Sequence, residues 1–359
     1  MKRSTGWAVL VVALAAVAAR GAESQGVAPP PAVAPVTITT TLATQGDHVP
    51  QLAFDGKPDT AFVSARAPKT GDTFTLTLAD PARAKSVEVL TGGADGKGAL
   101  EGAVLEVSAD GKEFSKVAAF SSGKARADVA AKPVKALQIR LTADAADPIA
   151  IREITIDAAP ALPVFKHPIQ VVLDTAAVPD MDAWARRAKD IVERWYPTLC
   201  DFLASDGYTP PRRIDLVFRK SDKGIAGTGG SRIECSDGWF RAHPDDYGAI
   251  VHESIHVIQS YPKYDPPWLV EGIDDYVRFW IYEPDTKRRP LDVDRMKVTD
   301  SYQVTGAFLA WLYDQGHKDL VPKLNAALRK SQYKPEMWKE VTGKDLDTLW
   351  EEFRKSLKK

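Results

Sequence analysis

Hydrophobic residues between positions 36 and 158 recur at every second position: Phe74, Leu76 and Leu78, then Val87 and Val89, then Leu137, Ile139 and Leu141, then Ile154 and Ile156. A period of two puts such residues on one face of an extended chain, so each run predicts a short strand with one buried face. Asp-Gly pairs at Asp55-Gly56, Asp95-Gly96 and Asp110-Gly111 fall between the runs. These are turn residues, and short strands separated by such turns predict an all-β sandwich.

The rhythm changes after "DAAPALPVFKHP", Asp157 to Pro168, where three prolines interrupt the chain. Beyond it, "IQVVLD" (169–174) and "RIDLVF" (213–218) have the short apolar runs of buried strands, with the helical pattern of "MDAWARRAKDIVERWYPTLCDFL" between them and "SRIECS" as a third candidate strand. That order predicts a mixed sheet with helices to its C-terminal side, an α+β domain. All ten tyrosines and eight of the nine tryptophans lie beyond the break, the ninth being Trp7. The chain is therefore expected to be multidomain: a signal peptide over 1–22, a Pro/Ala linker over 23–35 carrying "APPPAVAP", the sandwich over 36–158, a linker over 159–167 and the second domain over 168–359.

Lys2 and Arg3 precede the apolar run "WAVLVVALAAVAA", which is short for a membrane span and ends in small residues suited to cleavage around positions 19–23. The expected location is secreted, extracellular or periplasmic; an uncleaved anchor is the alternative. No other run is apolar enough to span a membrane, so no membrane span is expected after cleavage. A net charge of -1, from 47 basic and 48 acidic residues, provides no global field to attract nucleic acid. After export Cys200 and Cys235 would meet an oxidising compartment and either form a disulfide or pack as two buried thiols.

Candidate chemistry concentrates in "YGAIVHESIHVIQSY", residues 247–261. Pro244 suits a first helical position, and Asp245 and Asp246 suit the positive end of a helix dipole. On that helix Val251, Ile255 and Ile258 form an apolar stripe, while His252 and His256, at i and i+4, project side by side. Two neutral imidazoles suit zinc, and Glu253, about 100° round from His252, suits a general base acting on water activated by the metal. The alternative is an ordinary helix with two surface or carboxylate-paired histidines. A catalytic zinc takes a third protein ligand and keeps one position open. The next helix, in "PPWLVEGIDDYVRFW", begins near Trp268 and presents Glu271 and Asp275 at i and i+4. Glu271 is expected to bind the metal, and Asp275 to accept the far N–H of a ligand histidine, fixing its tautomer. Two surface acids on an amphipathic helix are the alternative. The expected cofactor is one zinc ion per chain.

In the first half, "LAFDGKPDTAF", "GDTFTLTLAD", "LEVSADGKEF" and "ALQIRLTA" resemble the discoidin, or F5/8 type C, family of jelly-roll domains. The resemblance implies a module that often holds sugars, lipids or surfaces through loops at one end. It has no tryptophan or tyrosine to lay against a sugar ring, and Phe62 stands where such domains often have tryptophan. From about residue 165 onward, "AWARRAKDIVERWYPTLCDFLASDGYTPP", "DGWFRAHPDDYGAIVHESIHVIQSYP", "PPWLVEGIDDYVRF", "SYQVTGAFLAWL" and "KLNAALRKSQY" resemble the plant basic secretory protein family and its bacterial relatives, placed with zinc peptidases of the gluzincin type. That resemblance implies a zincin-like fold, His252, His256 and Glu271 as zinc ligands, Glu253 as general base and Asp275 behind a ligand histidine. This chain, unlike the family's name, is not basic.

Tyr302, in "DSYQVTGAF", is the candidate donor to a developing oxyanion, because related peptidases place a tyrosine or histidine there; a core aromatic is the alternative. Gly227, Gly229 and Gly230 precede a strand and would either let a substrate peptide approach an exposed sheet edge or form a flexible loop. The expected function is a secreted zinc-dependent peptidase acting on peptide or protein substrates, with a glycan or surface ligand on the discoidin-like domain. The alternatives are a non-catalytic cell-surface or carbohydrate-binding protein with the peptidase fold as scaffold, and a structural zinc whose fourth position is closed.

Overall fold

Strands carry the first half of the computed structural model, which describes residues 25–93, 95–130 and 133–358. The signal peptide expected over 1–22 lies outside the described residues. The strands are β1 (Val36–Thr40), β2 (Phe62–Val63), β3 (Thr73–Thr91), β4 (Ala103–Ser108), β5 (Ser115–Ala119), β6 (Lys124–Asp128), β7 (Pro133–Leu141) and β8 (Ala150–Ala158). The two apolar runs at Phe74–Leu78 and Val87–Val89 are halves of one long strand, β3. Its register against β7 shifts between Thr77 and Ala82, a stretch that includes Pro81, which has no N–H for a ladder. The first half of β3 pairs with β1 and β7, the second with β6 and β8, so one strand serves both layers of the sandwich. Register places Phe74 opposite Ile139 and Leu76 opposite Leu137, and all four are buried. Phe62 is buried with them, its ring 5.1 Å from that of Phe74.

The second half is built on a sheet ordered β11-β12-β10-β9, from β9 (Gln170–Asp174), β10 (Arg213–Arg219), β11 (Ala226–Gly229) and β12 (Arg232–Ser236). β10 runs parallel to β9 and β12, whereas β11 is an antiparallel edge strand. Helix α1 (Asp182–Phe202) connects β9 to β10. There follow α2 (Asp237–Ala242), α3 (Gly248–Gln259), α4 (Pro267–Val277), a single π turn over Arg278–Tyr282, and α5 (Tyr302–Asp314), α6 (Leu320–Arg329), α7 (Glu336–Thr342) and α8 (Leu346–Ser356). The core runs from Leu216 and Ile233 in the sheet through Ile255 and Ile258 of α3 to Phe308 and Trp338. Cys200 and Cys235 are buried in it as free thiols.

The two halves touch through the chain that joins them. Gln51 Oε1 accepts the Ile169 N–H at 2.7 Å, the Phe54 carbonyl accepts the Phe165 N–H at 3.0 Å, and the two phenylalanine rings meet edge to face. The chain before β1 lies against the second domain: the Arg194 guanidinium donates to the Ala32 carbonyl at 3.1 Å, and Val27 packs on its core.

Candidate active site

Helix α3 starts later than Pro244 suggests. Residues 244–247 form a turn ahead of it, and Asp246 Oδ1 accepts the Ala249 N–H at 3.1 Å. Every residue of α3 is buried except His256, which is partly exposed. The helix closes at Ser260, whose φ of 44° is left-handed. There the buried Arg329 guanidinium donates to the carbonyls of Ile258 and Gln259, both at 3.1 Å, satisfying groups a helix end leaves without partners. Helix α4 begins with Pro267 in its first turn, where a missing N–H costs nothing. It packs closely on α5: a Cβ on Gly272 would collide with Thr305, and one on Gly306 would stand 3.0 Å from the Tyr276 nitrogen.

These two helices bring together His252, His256, Glu271 and Asp275. His252 Nε2 lies 3.1 Å from Glu271 Oε2, and His256 Nε2 lies 3.7 Å from Glu271 Oε1. Behind them, Asp275 Oδ1 is 2.9 Å from His252 Nδ1. Asp274, the neighbour of Asp275, stands 2.7 Å from His256 Nδ1. One ligand atom from each of His252, His256, Glu271 and Asp274 can be chosen so that all four lie within 4.8 Å of one another, a grouping that could hold a cation. Glu253 points to the sheet, where Thr228 Oγ1 of β11 donates to its Oε2 at 2.7 Å.

The electrostatics follow from three buried carboxylates surrounding two imidazoles. Burial disfavours charge on His252, but hydrogen bonds to Asp275 and Glu271 and the charge of Asp274 outweigh it and raise the imidazole to about 10. For His256 burial again opposes the charge, and Asp274 and Glu271 raise it to about 11. Burial pushes Glu271 upward, yet its bonds with both histidines and Tyr264 hold it well below the usual carboxylate range. Asp274 is raised by its burial, against the pull of His256.

Residues 179–353 match the BSP family, described as "Peptidase of plants and bacteria". Residues 36–154 match the F5/8 type C domain family. Among solved structures, the chain is similar to CBM32-1 from a family 31 glycoside hydrolase from Clostridium perfringens, at 19% identity over 34% of this chain and 93% of that one, TM-score 0.30. It is also similar to the lectin domain of lectinolysin complexed with Lewis B antigen, at 13% identity over 34% and 92%, TM-score 0.30. A third is the family 32 CBM from C. perfringens NanJ in complex with galactose, at 12% identity over 37% and 96%, TM-score 0.29. No curated protein matches the chain. No helix among the described residues is long and apolar enough to cross a membrane.

In the region that matches the BSP family the paired helices form the floor of a cleft of about 1310 Å³, with β11 along one wall and residues 289–304 along another. Gly227 and Gly229 thus belong to edge strand β11, whereas Gly230, with a left-handed φ of 61°, lies in the turn before β12. Tyr302 is not a core aromatic. It is 54% exposed, lines the cleft, and holds its ring nearly parallel to His252 at 6.2 Å. Both Tyr302 and Ser301 have left-handed φ values, 48° and 45°, a strained entry to α5 beside the site. Sequence reasoning missed Tyr264, which is 53% exposed and donates its hydroxyl to Glu271 Oε1. An aromatic in the short loop between two motif helices is the signal that could have found it. Thr228 was missed because a glycine-rich stretch conceals a strand whose side chains alternate.

Proposed function

We propose that the protein is a secreted zinc-dependent peptidase, working in an extracellular or periplasmic space, with Glu253 as the general base of peptide-bond hydrolysis. What carries this function is the convergence of His252 Nε2 and His256 Nε2 on the Glu271 carboxylate, with an aspartate close to each Nδ1. Two imidazoles and one carboxylate suit a catalytic zinc, and the surplus of buried negative charge fits a divalent cation. His252, His256 and Glu271 would hold one ion per chain, and Asp275 would hold the His252 proton at Nδ1. When bound, zinc supplies a Lewis acid that polarises a scissile carbonyl and makes water acidic near neutral pH.

The remaining work belongs to the chain's own residues. The Thr228 hydroxyl orients Glu253 through Oε2, leaving Oε1 to take a proton from the attacking water and pass it to the leaving amine. The outer edge of β11 pairs with no strand among the described residues. An extended substrate peptide joins that edge as a further strand, which lays its backbone beside Glu253. Tyr302 brings a phenol group to the mouth of the site, where it donates to developing oxyanion charge, while the Tyr264 hydroxyl holds Glu271. The match to the F5/8 type C family supports a separate glycan or surface ligand on the sandwich, placing the peptidase near its substrates.

The test is zinc analysis of the mature protein together with cleavage of a peptide library with and without chelator. One zinc per chain and chelator-sensitive cleavage are expected. Glu253→Gln should retain zinc while kcat falls about 10²- to 10⁴-fold. Equal turnover by wild type and this variant would remove the general-base role, and a protein that binds no zinc would end the proposal.

A further inference from the structure

Helix α4 carries two adjacent aspartates, and Asp275 already backs His252. Asp274 is 0% exposed, and neither of its carboxylate oxygens has a hydrogen-bond donor. A buried carboxylate without donors is costly and is retained where a neighbouring positive charge compensates it. Its Oδ2 lies 2.7 Å from His256 Nδ1 but out of line for a hydrogen bond, while Gln259 Oε1 faces the same nitrogen at 3.2 Å.

Helix geometry explains why two aspartates are present. Residues i+3 and i+4 from Glu271 lie one turn on, straddling its line along the helix. His252 and His256 are stacked one turn apart on α3. Each aspartate therefore reaches a different histidine: Asp275 meets His252 Nδ1 and Asp274 meets His256 Nδ1.

We propose that Asp274 is the positioning residue of His256. Its carboxylate, 2.7 Å from Nδ1, favours the tautomer that keeps the imidazole proton on that nitrogen and so directs Nε2 toward the position shared with His252 and Glu271. Asp274 is not itself a ligand, although an oxygen of its carboxylate lies close to the other donors. His256 presents Nδ1 to Asp274 and Nε2 to Glu271, so the imidazole stands between the two carboxylates. Each metal-facing histidine thus has its own anionic partner. The inference rests on the zinc site proposed above.

The experiment compares the full-length wild type with Asp274→Asn, Asp275→Asn and Gln259→Ala. Zinc affinity is measured by competition with a chromophoric chelator, coordination by the visible spectrum of the cobalt-substituted protein, and folding by circular dichroism. Asp274→Asn should bind zinc roughly 10- to 100-fold more weakly, as should Asp275→Asn, with the cobalt spectrum of the wild type. Wild-type affinity in Asp274→Asn, with weakening in Gln259→Ala, would transfer the role to Gln259 and overturn the inference. Loss of zinc with an altered cobalt spectrum would make Asp274 a ligand and overturn it too. Nitrogen-15 NMR of the zinc-loaded wild type provides a measurement independent of any variant's folding. His256 should carry its proton at Nδ1, and a proton at Nε2 would refute the assignment. A wild type that takes up no zinc would instead defeat the proposed function.

Discussion

Zinc loading should expel protons, and the number is fixed by the surroundings of the two histidines. In the metal-free site His252 and His256 are raised to about 10 and about 11 by the carboxylates around them, so both imidazoles are protonated at neutral pH. An imidazole must be neutral to bind zinc, so each ion entering the site should displace about two protons. Glu271, held well below its ordinary range, is already ionised and releases none. Two protons per ion make the apparent affinity rise about 100-fold, or about 2.7 kcal/mol, for each unit of pH gained near neutrality. The dependence flattens as pH approaches about 10, where His252 loses its proton without help. Calorimetric titration of the chelated protein with zinc in buffers of different ionisation enthalpy reads the proton count as a slope. A slope near two is expected, and His256→Gln should lower it by about one. A slope below one in the wild type would mean that the imidazoles are neutral before the ion arrives or never meet it, which would refute the reasoning.

Two further variants probe the supports of the site. Thr228→Val removes the hydroxyl that bonds Glu253 Oε2; a bond to a charged group contributes about 1.5–3 kcal/mol, so kcat/KM should fall on the order of tenfold to a hundredfold at unchanged zinc content. Unchanged kinetics would show that α3 alone positions Glu253. Gly272→Ala places a methyl group against Thr305, and overpacking of this kind costs about 1–3 kcal/mol. Denaturant unfolding and zinc competition should both report a loss, because α4 carries Glu271, Asp274 and Asp275 together. A variant with wild-type stability and affinity would mean that the α4–α5 contact does not hold Glu271 and its two neighbouring aspartates in place.

The sequence alone determined the features that repeat along one element. Period-two runs foretold the sandwich strands, although the two runs of β3 read as separate segments, because a bulge near Pro81 shifts the pattern without ending the strand. Histidines four residues apart, and Glu271 four before Asp275, had to share helix faces whatever surrounds them, since side-chain direction in a helix recurs every 3.6 residues. The tertiary structure alone decided which atoms meet. Asp274 lies a single residue from Asp275, and no local rule assigns one to each histidine; that division comes from how α4 lies against α3. The same holds for Tyr264 on Glu271 and Thr228 on Glu253, contacts made by a loop and by an edge strand whose glycines hide its period. Local periodicity sets where a side chain points, and the packing of one element against another sets what it finds there.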